Sequence, residues 1–453
     1  VKKIHFFDGM DETQNKKKGA VFLILLLSIL FLSAVSTSFA AANRSVSFID
    51  AVDQMVSNSP EYQSALQSIE VDKASVQSGL YSHYPTFSGQ LSHGMNGAWA
   101  STPAGNGESS EQSSASVSMA LPVFRFGADQ ATLESSQVAL RAAQVSAKTA
   151  RIRSEAAMAM LLIDEIRSRK QVIFEDSIFR SRTVVLEKAE SLFKRGLLPA
   201  EELEKIQLDA GVASIQLLEV KTAALNNRRQ AETAYGAPLG DVAWAWEAGF
   251  FSKFEQWNVG AFLDRNLQIA LEDVSLELKK AELALARSRA ERFPTLDFAS
   301  TVAKVFPTEN GTPRPPATWS MQLMASVPLF SRFESSSRVE ASVSAVSAAK
   351  FKWAERERVV RENVSKTASS LRDRVVAARN RATFLKRAWN NLTRARERFL
   401  AGKISSNDLS LDERRVFELE LTQLSNEADL QKDFVQLCSA LTLPLRECAL
   451  NLN

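Results

Sequence analysis

Cysteine is almost absent from these 453 residues, with only Cys438 and Cys448, which flank Pro444 near the C-terminal end. A disulfide-built scaffold and a cysteine-rich metal module are therefore both excluded. In an exported protein the pair could close a short-loop disulfide that ties the last helix to its tail; two buried thiols are the other reading. Histidine is also scarce. His83 and His93 lie near the first predicted strand, with no cysteine or acidic cluster at metal-binding spacing. No glycine-rich phosphate loop and no nucleophile motif is present, so neither a cofactor, a metal nor an enzyme activity is expected. A surplus of one charge is missing too. The 55 basic and 52 acidic side chains leave a net charge of +3, which gives no reason to expect nucleic-acid binding.

Long apolar runs are limited to one, Ala20 to Val35, preceded by Lys16 to Lys18 and followed by Ser38-Phe39-Ala40. That order predicts a signal peptide over residues 1–40, cleaved after Ala40. The run falls short of the roughly 20 apolar residues a spanning helix needs. Residues before Lys16 read as an over-long start, with Met10 as the expected initiator. No cysteine follows the run to carry a lipid anchor. Any insertion into a membrane must then be by strands.

Glycine and proline are missing from two long stretches, between Gly127 and Arg195 and between Ser331 and Ala401. Each predicts a single helix on the order of 100 Å long. The two stretches are copies. Pro122 and Phe124 recur as Pro328 and Phe330, Phe193 and Gly196 as Phe399 and Gly402, and Pro238-Leu239 as Pro444-Leu445, all at an offset of 206. Upstream, Pro85-Thr86 recurs as Pro294-Thr295 at 209. A constant offset over such a length indicates internal duplication. The first repeat is assigned to 41–239 and the second to 261–445. An aromatic linker at 240–260 is expected to pack across the helices, and a tail covers 446–453.

Within each repeat the reading is the same. A leading helix, Phe48 to about Ser82 or Ala261 to about Arg292, precedes a β-hairpin at 86–122 or 294–328. A helical hairpin then turns at Gly196 or Gly402 and returns over Ala200 to about Tyr235 or Asn407 to about Leu443. Ile152, Ala156, Ala159, Ile163 and Ile166 step 4-3-4-3, as do Val339, Val343, Val346, Lys350 and Trp353, which predicts supercoiled packing. The four predicted strands alternate apolar with small or polar residues and have about the 9 to 11 residues of a tilted membrane strand. Tyr81, Tyr84, Phe87, Phe124, Phe126, Phe293, Phe330 and Phe333 cluster where helix meets strand, as an interfacial girdle would. Pro85, Pro122, Pro294 and Pro328 sit at those junctions and can re-aim the chain. Four strands cannot close a barrel alone, so the chain must oligomerise; two copies give eight strands and three give twelve with room for a lumen.

The Asn58-to-Glu61 opening N-x-P-E, the P-T-F and P-T-L strand starts, the L-P-V-F and V-P-L-F strand ends and the duplicated G-x5-[DE]-L tips together resemble the TolC-like outer-membrane efflux proteins. The resemblance implies a homotrimer in the outer membrane of a Gram-negative bacterium, mainly α with a membrane β part. A 12-stranded β-barrel would continue into a long periplasmic α-barrel, working as an exit duct. It further implies helical tips that close the periplasmic end and meet an adaptor protein, which joins an inner-membrane ABC or RND transporter. Carried over by position, Gly196, Leu197, Glu202 and Leu203 form one tip and Gly402, Asp408 and Leu409 the other. Asp408 falls where the family has an acidic aperture ring, which would repel anions and attract multivalent cations. A helix-start carboxylate favoured by the helix dipole is the plainer reading of the same residue. Phe399 stands where some members carry a latching tyrosine, whose hydrogen bond phenylalanine cannot make. Ile404 stands where some carry a latching arginine, so Arg195 or Lys403 is expected to substitute. The rival reading is a periplasmic coiled-coil adaptor or tether, which would need no lipid-facing strands. The cargo is not legible in the sequence.

Overall fold

The computed structural model describes residues 46–81, 83–97, 109–307, 316–327 and 334–450. The expected signal segment, most of both strand-connecting loops, and Pro328, Phe330 and Phe333 lie outside the described residues.

Two 67-residue helices form the long axis: α3 (Ala128–Lys194) and α8 (Glu334–Leu400) start and end 206 positions apart. At 1.5 Å per residue each is about 100 Å long. Their return helices, α4 (Ala200–Tyr235) and α9 (Ser406–Ala440), also start at that offset. The long helices of the two segments thus match in length and the return helices in starting point.

Each repeat opens on a helix that is broken where the sequence predicts a continuous one. The first divides into α1 (Phe48–Ser57) and α2 (Pro60–Tyr81). Pro60 lacks an N–H and disfavours helical geometry in Ser59, so it restarts a helix as its first residue. The break is put to use: Asn58 Nδ2 donates to the Tyr235 carbonyl at 2.9 Å, and the Ser59 and Ser154 hydroxyls lie 3.1 Å apart. The second divides at Leu271 into α6 (Val259–Ala270) and α7 (Glu272–Ala290). No breaker residue marks that point; Leu271 is buried in the core. Between the repeats the linker holds α5 (Ala248–Phe251) and a 3-10 turn (Ser252–Gln256), and α10 (Leu445–Leu450) ends the described chain.

The helices lie side by side. In the half near the strands the order is α2, α3, α7, α8; in the half near the tips it is α4, α3, α9, α8. One core belts the middle of this layer, built from Ala156 to Ile166 of α3, Val360 to Val375 of α8, Leu430 to Cys438 of α9, and α1, α6 and the linker. The linker packs as its aromatics imply. Trp246, Phe251 and Phe254 are buried, and Phe434 meets Trp246 edge-on at 4.5 Å. Gln431 Nε2 donates to the Trp246 carbonyl at 2.6 Å, while Arg228 donates to the carbonyls of Leu239 and Gly240. Buried backbone acceptors in this irregular segment are thereby satisfied.

The α3 series from Ile152 to Ile166 is fully buried, as its spacing predicts. Its expected counterpart is not. None of Val339, Val343, Val346, Lys350 and Trp353 is buried, and the buried face of α8 runs through Val360, Val364, Ala368, Leu371 and Val375. Position explains the difference: among the described residues α8 is the last helix of the layer near the strands, with its neighbours on one side.

Cys438 and Cys448 are completely buried and joined as a disulfide, with Cα atoms 5.8 Å apart, holding α10 against the end of α9. Beside them the Glu155 carboxylate accepts from the Leu445 N–H at 3.2 Å. Burial pushes its pKa up to about 7, against the lowering effect of that hydrogen bond, and the nearby Asp53 adds to the rise.

Candidate functional site: a two-faced sheet and two helical tips

Four strands form one antiparallel sheet in sequence order: β1 (Thr86–Gly97), β2 (Ser109–Phe124), β3 (Thr295–Pro307) and β4 (Thr318–Ser326). β1 and β2 make one hairpin, β3 and β4 the other, and β2 pairs with β3 to join the repeats. Residues directly opposite across an antiparallel pair share a face, so the register assigns each side chain to a side. One face carries the row Gly89, Val117, Val302, Trp319, flanked by Phe87, Met119 and Met321 and by Leu121, Phe298 and Leu323. The other carries Ser88, Ser118, Thr301 and Ser320 in one row and Gln90, Ser116, Ala303 and Thr318 in the next. The hydroxyls bond to one another: Ser88 to Ser118 at 2.7 Å and Ser92 to Ser114 at 2.6 Å.

Both faces are open to the surroundings. Leu91 is 87% exposed and Trp319 73%. An apolar face of this extent needs an apolar environment, and no other described residue covers it. His93 and Lys304 are polar members of the apolar face, both near the end remote from the helices. The His93 ring nitrogen Nδ1 lies 2.9 Å from the Ser113 hydroxyl, and the Lys304 amine sits over the Phe306 ring at 5.6 Å. Among the described residues the outer edges of β1 and β4 have no partner strand.

At the helix-strand junctions, Tyr81 and Tyr84 pack edge-on at 6.0 Å, Phe124 meets Phe126 at 4.7 Å, and Phe126 stacks on Phe293 at 5.0 Å. All of these rings remain substantially exposed. Pro85 and Pro294 directly precede β1 and β3. Pro122 lies inside β2, not at its end. The strand continues to Phe124 across a bulge between the two residues, where proline's missing N–H breaks the ladder. Arg125 pairs with Asp297 there at 3.2 Å, a contact with no sign in the sequence spacing.

The tips share one backbone. Gly196 and Gly402 have φ of 72° and 69°, and their N–H groups bond Phe193 and Phe399 carbonyls at 2.8 and 2.9 Å. The next N–H, from Leu197 or Lys403, bonds the carbonyl of Leu192 or Arg398 at 2.9 Å. A left-handed residue is required at this turn, which glycine adopts without strain. The side chains differ. α4 starts after Pro199 with no side-chain cap, whereas Ser405 and Asp408 form a reciprocal capping box on α9. In the single chain Asp408 therefore binds its own helix start. Leu197 is exposed and Glu202 and Leu203 are half-buried. Leu409, expected on the contacting surface, is instead 3% exposed: with Leu392, Ala395 and Val416 it forms a small core against which Phe399 and Ile404 pack.

Just above the tips lies an ionic cluster. Arg182 on α3 contacts Asp209 on α4 at 3.3 Å and Glu413 on α9 at 3.5 Å, and Arg396 on α8 reaches Glu413 at 3.2 Å. Ser410 accepts from Arg182 at 3.2 Å and lies 3.2 Å from Asp209, while Ser181 receives Arg396 at 2.9 Å. Four helices from both repeats are thus joined. Glu413 is 1% exposed and Arg182 11%, so neither charge is left to water. A cavity of about 430 Å³ opens beside the cluster, walled by Val184, Trp389, Phe399 and Phe417. Sequence reasoning missed the cluster because its members are 17 to 232 positions apart. One indication was available: Leu409, Glu413 and Val416 step 4-3, which puts a carboxylate in a core position that needs a buried cation.

Among the described residues no group of His, Cys, Asp and Glu could hold a metal ion, and no helix is long and apolar enough to cross a membrane. Residues 51–237 match the family model described as outer membrane efflux protein. The chain is similar to the outer membrane efflux proteins. Solved structures extend the likeness in fold to both repeats. The Campylobacter jejuni CmeC outer membrane channel matches with a TM-score of 0.74 at 13% identity, over 90% of this chain and 90% of that one. The outer membrane protein VceC of Vibrio cholerae matches at 0.72 and 10% identity, over 88% and 96%. The open state of the MtrE outer membrane channel of Neisseria gonorrhoeae matches at 0.69 and 14%, over 88% and 89%. No curated protein matches by sequence. At these identities the structures speak for the fold, and the family match rests on the first repeat.

Proposed function

We propose that this chain is the outer-membrane exit duct of a tripartite export system. Three copies close a 12-stranded barrel, continued by a long periplasmic helical barrel, and substrate supplied by an inner-membrane ABC or RND transporter through an adaptor passes along it without chemistry. The observation that carries this reading is the sheet: one apolar face, one hydroxyl face and two edges unpaired among the described residues, mounted on helices about 100 Å long. Unpaired strand edges in hydrocarbon cost several kcal/mol per group, so edges and apolar face are compatible only if the sheet closes with other copies. A periplasmic tether would leave the apolar face in water.

The tips are the proposed gate, meeting the adaptor through Leu197, Glu202 and Leu203. Asp408 then serves twice. Its carboxylate caps α9 in each chain, and three copies around an aperture would repel anions and draw multivalent cations.

The mass of the protein extracted from outer membranes in detergent, with bound detergent subtracted, tests the reading. Three chains per particle, insoluble without detergent, is the expected result. A monomer or dimer soluble without detergent would leave a coiled-coil scaffold and no pore.

A further inference from the structure

The cavity beside the ionic cluster has the size and lining of a small-molecule site, and we infer that it binds an amphiphilic organic anion, with an apolar aromatic body and one acidic head. The inference goes beyond the conduit reading and does not rest on it, because the walls of the cavity belong to a single chain.

Both repeats contribute. On α3, Ser181, Val184 and Lys188 step 3-4 and so share one side of the helix, while α8 adds Trp389 and Phe399 and α9 adds Phe417. The Trp389 indole gives its one N–H to Glu420 at 3.2 Å, so its ring offers the cavity apolar surface alone. Phe417 is 8% exposed and packs edge-on against Phe174 at 5.6 Å, which fixes a second aromatic wall. A volume of about 430 Å³ lies within the roughly 300 to 1,000 Å³ of small-molecule sites, which are likewise mostly apolar with a few placed polar groups.

The sign of the ligand follows from the charges at the cavity. Arg180, Lys188 and Arg396 border it and no carboxylate does. Asp176 holds Arg180 at 2.7 Å and Glu413 holds Arg396 at 3.2 Å. Lys188 is exposed and has no ion pair among the described residues. An ammonium at the edge of apolar walls draws an anionic head through a charge-assisted hydrogen bond, while the rings take the apolar body out of water. The cavity of about 510 Å³ between α3 and α4 is not equivalent, since Glu165 and Asp241 stand among its cations. A molecule bound beside the cluster touches α3 of one repeat and α8 of the other. It therefore ties the repeats together just above the tips and stabilises that arrangement.

Anilinonaphthalene sulfonate, whose emission rises in an apolar site, is the probe, titrated into the protein in lipid nanodiscs with empty discs as the reference. One saturable site per chain is expected. N-phenylnaphthylamine has the same rings without the sulfonate and should bind at least about tenfold more weakly, the effect of one charge-assisted contact. Lys188→Glu should weaken binding of the sulfonate by a similar factor, and Lys188→Arg should keep it. Val184→Trp, at a position 62% exposed, should fill the cavity and abolish binding with the fold retained. Unchanged binding of the sulfonate by Val184→Trp or by Lys188→Glu would overturn the site. Equal binding of the uncharged probe would also overturn it, and would mark an apolar contact surface indifferent to charge. None of these results alters the number of chains per particle, which tests the conduit separately.

Discussion

The two repeats share a backbone and almost none of its charge chemistry. α3 and α8 have the same length at the same offset, and the two tip glycines have the same conformation and bonds. At the ionic cluster, however, Arg182 corresponds to Ala388, Asp209 to Arg415, Glu413 to Gln207 and Arg396 to Glu190. One repeat contributes a cation and an anion to a cluster that the other completes. The two segments present equal helical frames whose side chains differ at matched positions and bind each other.

Breaking the cluster should expose the asymmetry most clearly. Glu413→Ala leaves Arg182 and Arg396 facing a buried void and should cost about 3 to 5 kcal/mol. Its counterpart Gln207→Ala sits on an exposed position and should stay within about 0.5 kcal/mol. Denaturant midpoints of the two variants measure the contrast; equal losses would mean the repeats are equivalent there.

A smaller effect, readable only through pH, is expected at the other end of the core. Glu155 has its pKa raised to about 7 from an ordinary 4.5 by burial, so the folded chain holds a proton that the unfolded chain releases. Stability from this site is complete below pH 4.5 and declines as pH rises through about 7. Glu155→Gln keeps an acceptor for the Leu445 N–H and removes the ionisation. It should stabilise by on the order of 1 to 3 kcal/mol at pH 8 and change little at pH 4. A gain independent of pH would show that the carboxylate is not being forced into its charged form.

Much of the architecture was legible because it depends on rules local to the chain. Absence of glycine and proline predicts the ends of α3 and α8 within a few residues, and period-two alternation predicts all four strands and their two faces. What was not legible depends on neighbours. Leu271 stands between two helices with no breaker residue in the sequence to mark it, and it is buried in the core. Val339 to Trp353 have the spacing of a seam but stand at a flank with one neighbour, so spacing alone cannot bury them. Leu409 has the position of an exposed tip residue and turns inward because Phe399 and Ile404 pack beside it. Arg182 and Glu413 meet across 231 positions, where no periodicity reaches.

The central claim is that one face of the sheet meets lipid and the other a lumen. Leu323 and Gln322 are adjacent on β4 and belong to opposite faces, pairing with Phe298 and Ala299. The most direct measurement is the amount of each arginine variant recovered as detergent-extracted trimer from outer membranes. Leu323→Arg should be strongly depleted, since a charge at mid-membrane costs about 2 to 4 kcal/mol, while Gln322→Arg should assemble normally. Equal recovery of the two would contradict a lipid-facing side and with it the pore.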